Sequence, residues 1–167
     1  MRSLAIVASL LAVIAGKEPQ VRLRPDWSVV LPEDQARAFW KPQLCNRPAP
    51  GPIERTWIPD HATIRRLETA LGPALQKAIE VSKIAETKPA VSDFYRQYAG
   101  FIVAGQRIVY INGFHAKTVD RGRPMSWRTQ ALLPCDGGML FFGAEFRVDT
   151  GVVDKIIFNG GGRGHAG

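Results

Sequence analysis

Histidine and cysteine are scarce in this chain, with three of the first and two of the second. His61, His115 and His165 are scattered, and neither Cys45 nor Cys135 has a further ligand at metal spacing, so no metal set is expected. Long hydrophobic runs are missing too. The most apolar stretch, residues 3–15, falls short of the roughly 20 residues that a membrane-spanning helix needs. The glycine-rich residues 160–164 are followed by no Lys-Ser or Lys-Thr and open no helix, which excludes a phosphate loop. No internal repeat is apparent, and no motif calls for a cofactor.

What is present describes a single globular domain. The chain has 167 residues, of which 46% are hydrophobic, too many for a disordered protein. Arg2 followed by the apolar residues 3–15, with small or tolerated side chains at Val13 and Ala15, has the layout of a secretory signal peptide cleaved after Ala15. No cysteine follows the run, which argues against a lipoprotein. Removal of residues 1–15 takes Arg2 and lowers the net charge from +7 to +6. The expected location is therefore periplasmic or secreted, with no membrane span in the mature chain. In such a compartment an even cysteine count suggests a disulfide, Cys45–Cys135. It closes a loop of roughly 90 residues and contributes about 4–5 kcal/mol in the chain-entropy picture.

The chain is organised around residues 132–159. Leu140, Phe142, Ala144, Phe146 and Val148 fall on alternate positions and predict a strand with one dry face. Met139, Phe141, Gly143, Glu145 and Arg147 make the other face, which is half wet. Asp149-Thr150-Gly151 predicts a three-residue hairpin loop, with residues 152–158 returning as the partner strand. Strands are also expected over 94–103 and 107–114, joined by a type II′ turn at Gly105-Gln106, and over 127–133. Asp60 is a candidate N-cap for the main helix. Ile64, Leu67, Leu71, Leu75, Ala78 and Ile79 keep helical phase across Gly72-Pro73, predicting a kinked helix or two collinear pieces ending near Ala85. Residues 16–59 are proline-rich and read as an extended arm anchored by Trp27, Trp40 and Trp57, with a short helix over 33–40. Residues 160–167 read as a disordered tail. The fold class expected is α+β. One long helix packs on the dry side of a four- to five-stranded antiparallel meander, and the helix-plus-sheet domain spans 60–159.

Several short pieces recur in order: Cys45-Asn46-Arg47-Pro48, Trp57-Ile58-Pro59, Leu67-Glu68, Arg96-Gln97-Tyr98-Ala99-Gly100, Tyr110-Ile111-Asn112-Gly113, Cys135-Asp136-Gly137-Gly138 and Phe158-Asn159-Gly160. With Phe141-Phe142-Gly143 they resemble a family of small secreted bacterial proteins of uncharacterised role, over residues 45–160. The resemblance implies export and a helix-plus-sheet body, and brings no activity or cofactor. Members often carry a further cysteine near Phe114-His115, where this chain has histidine. Cystatin-like folds share the broad layout, an analogy of architecture alone.

The chemistry-bearing candidates are few. Cys135, His115 and Asp136 have the types of a nucleophile, base and orienter, but no catalytic signature surrounds them, and Asp136 before two glycines suits a turn. Glu145 and Asp154 face each other across the predicted hairpin, and the neighbouring Arg147 and Lys155 favour cross-strand charge pairs over paired catalytic carboxylates. The basic segment is the most suggestive feature. Lys117, Arg121, Arg123 and Arg128, offset only by Asp120 and beside Trp127, suit an anionic group. The plain alternative is a solvated loop. Export turns the expectation from nucleic acid towards an anionic envelope component or an acidic protein. The first functional expectation is an exported, non-catalytic binding module. The alternatives are a small envelope hydrolase using His115, Asp136 or Glu145, or an inhibitor presenting a hairpin loop to an exogenous enzyme.

Overall fold

The computed structural model describes residues 23–40, 43–44, 47–48, 50–83, 88–119 and 126–160. The expectations for residues 1–15, Cys45, Arg121, Arg123 and most of the tail lie outside these residues.

The proline-rich segment is not a simple extended arm. It opens with β1 (Ser28–Val30), then α1 (Glu33–Ala36), which starts from Pro32 in extended conformation and runs on into a 3-10 turn, Arg37–Trp40. A proline costs nothing there, because the first helical N–H groups have no intrahelical acceptor. Two short strands follow, β2 (Gln43–Leu44) and β3 (Arg47–Pro48), which pair only with each other, and then β4 (Ile53–Trp57).

The main helix α2 (His61–Val81) begins where Asp60 Oδ1 accepts from the Thr63 amide at 2.7 Å. It continues through Pro73 as one element. Pro73 is exposed beside the buried Gly72, and Thr69, whose carbonyl it leaves without an N–H partner, is exposed as well. The chain then forms β5 (Phe94–Val103), β6 (Gln106–His115), the single turn α3 (Ala116–Val119), β7 (Phe141–Arg147) and β8 (Val152–Phe158).

Strands β5, β6, β7 and β8 form the expected antiparallel meander. The proline-rich segment then widens the sheet to six strands: β1 runs parallel to β5 beside Arg96–Tyr98, and β4 runs antiparallel beside Gly100–Val103. Both occupy one edge of β5. Gly100 is required at their junction, since a Cβ there would lie 2.3 Å from the Trp57 carbonyl oxygen.

Three local expectations are corrected. The β5–β6 loop is Ala104-Gly105, with φ of 49° and 72°, a type I′ geometry in place of the type II′ turn expected at Gly105-Gln106. Strand β7 starts at Phe141 because Gly138–Leu140 forms a 3-10 turn, which buries Met139 in the helix-side core. Residues 127–133 form no strand. Their backbone is held by side chains from the sheet: Gln97 Nε2 donates to the Trp127 and Gln130 carbonyls, both at 2.6 Å, and Asn112 Nδ2 to the Leu132 carbonyl at 2.9 Å. The Leu132 amide returns a bond to Gln97 Oε1 at 3.0 Å. Side-chain amides thus take the place of a ladder.

The helix-side core is the one expected. Leu67, Leu71, Leu75 and Ile79 of α2 pack with Val109, Ile111, Phe142, Ala144, Phe146 and Val148. Full burial of each such aliphatic side chain contributes about 1.5–3 kcal/mol. Over β5 and β6 the opposite face of the sheet is covered too, while on β7 it is half wet, as expected, with the Arg147 side chain 39% exposed. Leu31, Ala36, Phe39 and Ile53 close over Ala99, Phe101 and Tyr110 as a second core. The result is a three-layer α+β fold, with α2, sheet and proline-rich cover in turn.

Candidate functional site

The covered face of the sheet ends in an aromatic frame. Trp27 stacks on Tyr95 with centroids 4.1 Å apart, Tyr95 stacks on Phe114 at 5.7 Å, and Trp127 closes on both at 4.9 and 5.9 Å. Alternation along β5 and β6 puts Tyr95 and Phe114 on one side, opposite each other in register. The bonds from Gln97 to 127–132 bring Trp127 over them. Trp127 is therefore buried by packing.

Two exposed arginines top this frame. The Arg24 guanidinium lies 4.3 Å from the Trp27 ring centroid, and that of Arg128 lies 4.3 Å from the Trp127 ring centroid. Each arrangement is a cation–π contact that orients a guanidinium plane. Arg128 Nη2 also donates to the Asp26 carbonyl at 2.8 Å. The Arg24 carbonyl accepts from Arg96 Nη2, which fixes the backbone under that arginine. Of the residues singled out in sequence, the structure brings Arg128 and Trp127 together here, and Lys117 is exposed on α3. Arg24 was missed. Its signal was present, an arginine spaced three residues from a tryptophan, but it fell in the proline-rich segment read as an arm.

The candidate catalytic residues do not converge. His115 ends β6 on the α2 side. Its Nδ1 accepts from the Lys117 amide at 3.0 Å, which leaves the proton on Nε2, 3.7 Å from Asp93 Oδ2. Burial lowers the His115 pKa, Asp93 acts against that shift, and Lys117 adds to it. Asp136 is exposed in a turn, and its carbonyl accepts from Asn159 Nδ2. Glu145 lies on the opposite face of the sheet, where both its oxygens accept from Lys155 Nζ at 3.0 and 2.9 Å. Burial raises its pKa, and the bond from Lys155 works against that. Glu145 and Asp154 are register partners, as expected, and each has its own cation, since Arg147 Nε donates to Asp154 Oδ2 at 2.8 Å. A bulge permits this: Lys155 sits at φ 51°, between the paired positions Asp154 and Ile157.

Among the described residues, no three His, Cys, Asp or Glu side chains are grouped so as to hold a metal ion. No described helix is long and apolar enough to cross a membrane. No described cysteine is free. No family model, no curated protein and no solved structure matches this chain.

Proposed function

We propose that this chain is an exported, non-catalytic binding module that recognises an anionic ligand at the arginine-topped aromatic frame. The ligand class is an anionic envelope component or an acidic protein. The observation that carries the reading is the pair of exposed guanidiniums, Arg24 and Arg128, each held 4.3 Å from an indole of one packed aromatic cluster. Guanidiniums immobilised before binding lose little side-chain entropy when they meet a carboxylate or phosphate. The basic residues Lys117, Arg121 and Arg123 belong to the segment that leads into Trp127 and give it a positive charge. Export rests on residues 1–15, and the Cys45–Cys135 bridge belongs to the same proposal.

The test is retention of the exported chain on a carboxylated and a phosphorylated matrix at low salt. Arg24→Glu with Arg128→Glu should elute at clearly lower salt than the parent. Arg65→Glu with Lys77→Glu, on the exposed side of α2, changes net charge equally and should elute later than that variant. Equal loss in both variants would reduce the effect to net charge and defeat the reading.

A further inference from the structure

Where Arg47 of β3 meets β6, β7 and β8 lies a small pocket whose walls include Arg47, Tyr110, Gly143, Glu145, Lys155 and Ile157. Arg47 is 2% exposed and Tyr110 is 3% exposed, so neither is a surface side chain. Arg47 Nη2 donates to Asn112 Oδ1 at 3.1 Å, while Arg47 Nε, Arg47 Nη1 and the Tyr110 hydroxyl have no hydrogen-bond partner among the described residues. Buried donors are nearly always partnered, and two of these, Arg47 Nη1 and the Tyr110 hydroxyl, meet beside Gly143 and call for a shared acceptor; Arg47 Nε lies on the other edge of the guanidinium, with Nη2. Glycine at 143 keeps the space open, since a Cβ there would lie 2.6 Å from Tyr110 Oη and 3.1 Å from Arg47 Nη1.

Charge decides between water and an ion. Glu145 is matched by Lys155 and Asp154 by Arg147. Arg47 makes no ion pair with a described residue, and its one bonded side chain is the neutral amide of Asn112. Among the described residues the pocket therefore carries one positive charge in excess. A water molecule satisfies the donors but leaves a buried guanidinium uncompensated, at a cost of several kcal/mol. A monoanion satisfies both. Burial lowers the Arg47 pKa, with the Tyr110 hydroxyl acting in the opposite direction, as expected for a cation short of countercharge.

We infer that this pocket binds one compact monoanion, of halide size, between the Arg47 guanidinium and the Tyr110 hydroxyl. The site is distinct from the arginine-topped frame and stands without it.

Chloride is the probe. Thermal melts of the exported chain in chloride and in sulfate, at matched ionic strength, should show a saturable rise in Tm with chloride. The rise is about 8 °C at a hundredfold excess over the Kd. Tyr110→Phe keeps the ring and removes one donor, and should weaken the apparent chloride affinity about tenfold. Gly143→Ala fills the pocket, and Arg47→Met removes the charge, so each should abolish the response. Where those two variants fail to fold, a bromide-soaked crystal of the parent chain gives the answer directly. An anomalous peak within hydrogen-bond reach of Arg47 Nη1 and Tyr110 Oη supports the site. An ordered water there with no bromide peak overturns it, as does an identical chloride response in parent and Tyr110→Phe.

Discussion

Arg96 reaches Glu68 across the interface between sheet and helix, its Nη2 lying 3.0 Å from Glu68 Oε1. The same carboxylate oxygen accepts from the Tyr98 hydroxyl at 2.8 Å, and Arg96 Nε donates to Tyr98 Oη at 3.0 Å. The triangle is set inside the helix-side core, and Arg96 is wholly buried there. Its remaining donors go to the Phe94 and Arg24 carbonyls, both at 2.6 Å. The pair therefore joins α2, β5 and the residues that enter β1.

Removing Glu68 leaves a buried guanidinium without its carboxylate. Glu68→Ala is expected to destabilise the chain by about 3 kcal/mol, at the lower end for a broken buried pair because the Glu68 side chain keeps 19% exposure. Urea unfolding measures this. A loss under about 1 kcal/mol would mean that the pair behaves like a surface ion pair.

The network also shows what was legible in the sequence. The α2 stripe and the alternation in β7 were, because each element buries one face and so carries a clean period. Glu68 lies off the apolar stripe of α2, so no period marks it. It borders the stripe, and only the arginine on a strand distant in sequence makes its position useful. The second core was hidden for a different reason. Leu31, Phe39 and Ile53 are separated by prolines and short elements, so no period joins them, and the register of Tyr110 with that cover depends on tertiary contact. The same holds for 127–133. Its apolar residues suggested a strand, but the docking partners are Gln97 and Asn112, polar residues inside strands whose purpose no local pattern reveals. At the candidate sites, Arg128 and Trp127 were found from composition. Arg24 and Arg47 were missed because neither a residue before a single 3-10 turn nor a two-residue strand gives a periodic signal.

His115 offers a pH test. An unfolded histidine titrates near 6.5. Burial lowers the value in the folded chain, so between the two values the unfolded state binds more protons. Stability attributable to His115 is therefore full above 6.5 and is lost as pH falls from 6.5 through the folded value. Glu145 acts in the opposite sense, because its raised pKa makes the folded chain the better proton binder above 4.5. The difference between parent and His115→Gln isolates the histidine. Its stability difference should vary with pH below about 6.5 and flatten above it, and imidazole resonances should titrate below 6.5. A His115 midpoint above 6.5 would show that Asp93 outweighs burial.

The cysteine pairing is open to direct chemistry. If Cys45 and Cys135 are bridged after export, thiol titration of the denatured, unreduced protein finds no reactive sulfhydryl, and reduction releases two, the full complement of the chain. The bridge would tie the proline-rich cover to the residues preceding β7, and its reduction should cost about 4 kcal/mol in urea unfolding. Two thiols before reduction would refute the pairing.

Gln97 is the sharpest single probe of the cover. Its amide nitrogen serves two carbonyls and its oxygen accepts both from the Leu132 amide and from Asn112 Nδ2, all within 3.0 Å. Gln97→Glu preserves shape and volume but replaces the donor nitrogen with an oxygen. The Trp127 and Gln130 carbonyls would then face a carboxylate in a buried site, at a cost of about 2–3 kcal/mol. The loss should be local first, because these bonds hold 126–133 to the sheet while the α2-side core is untouched. Hydrogen exchange at the Leu132 amide should accelerate, and Trp127 fluorescence should shift towards that of an exposed indole, while amides of β6 and β7 stay protected. Uniform acceleration across β6 and β7 would mean instead that the loop and the sheet open as one unit. In that case the aromatic frame carrying Arg24 and Arg128 would be as rigid as the core beneath it.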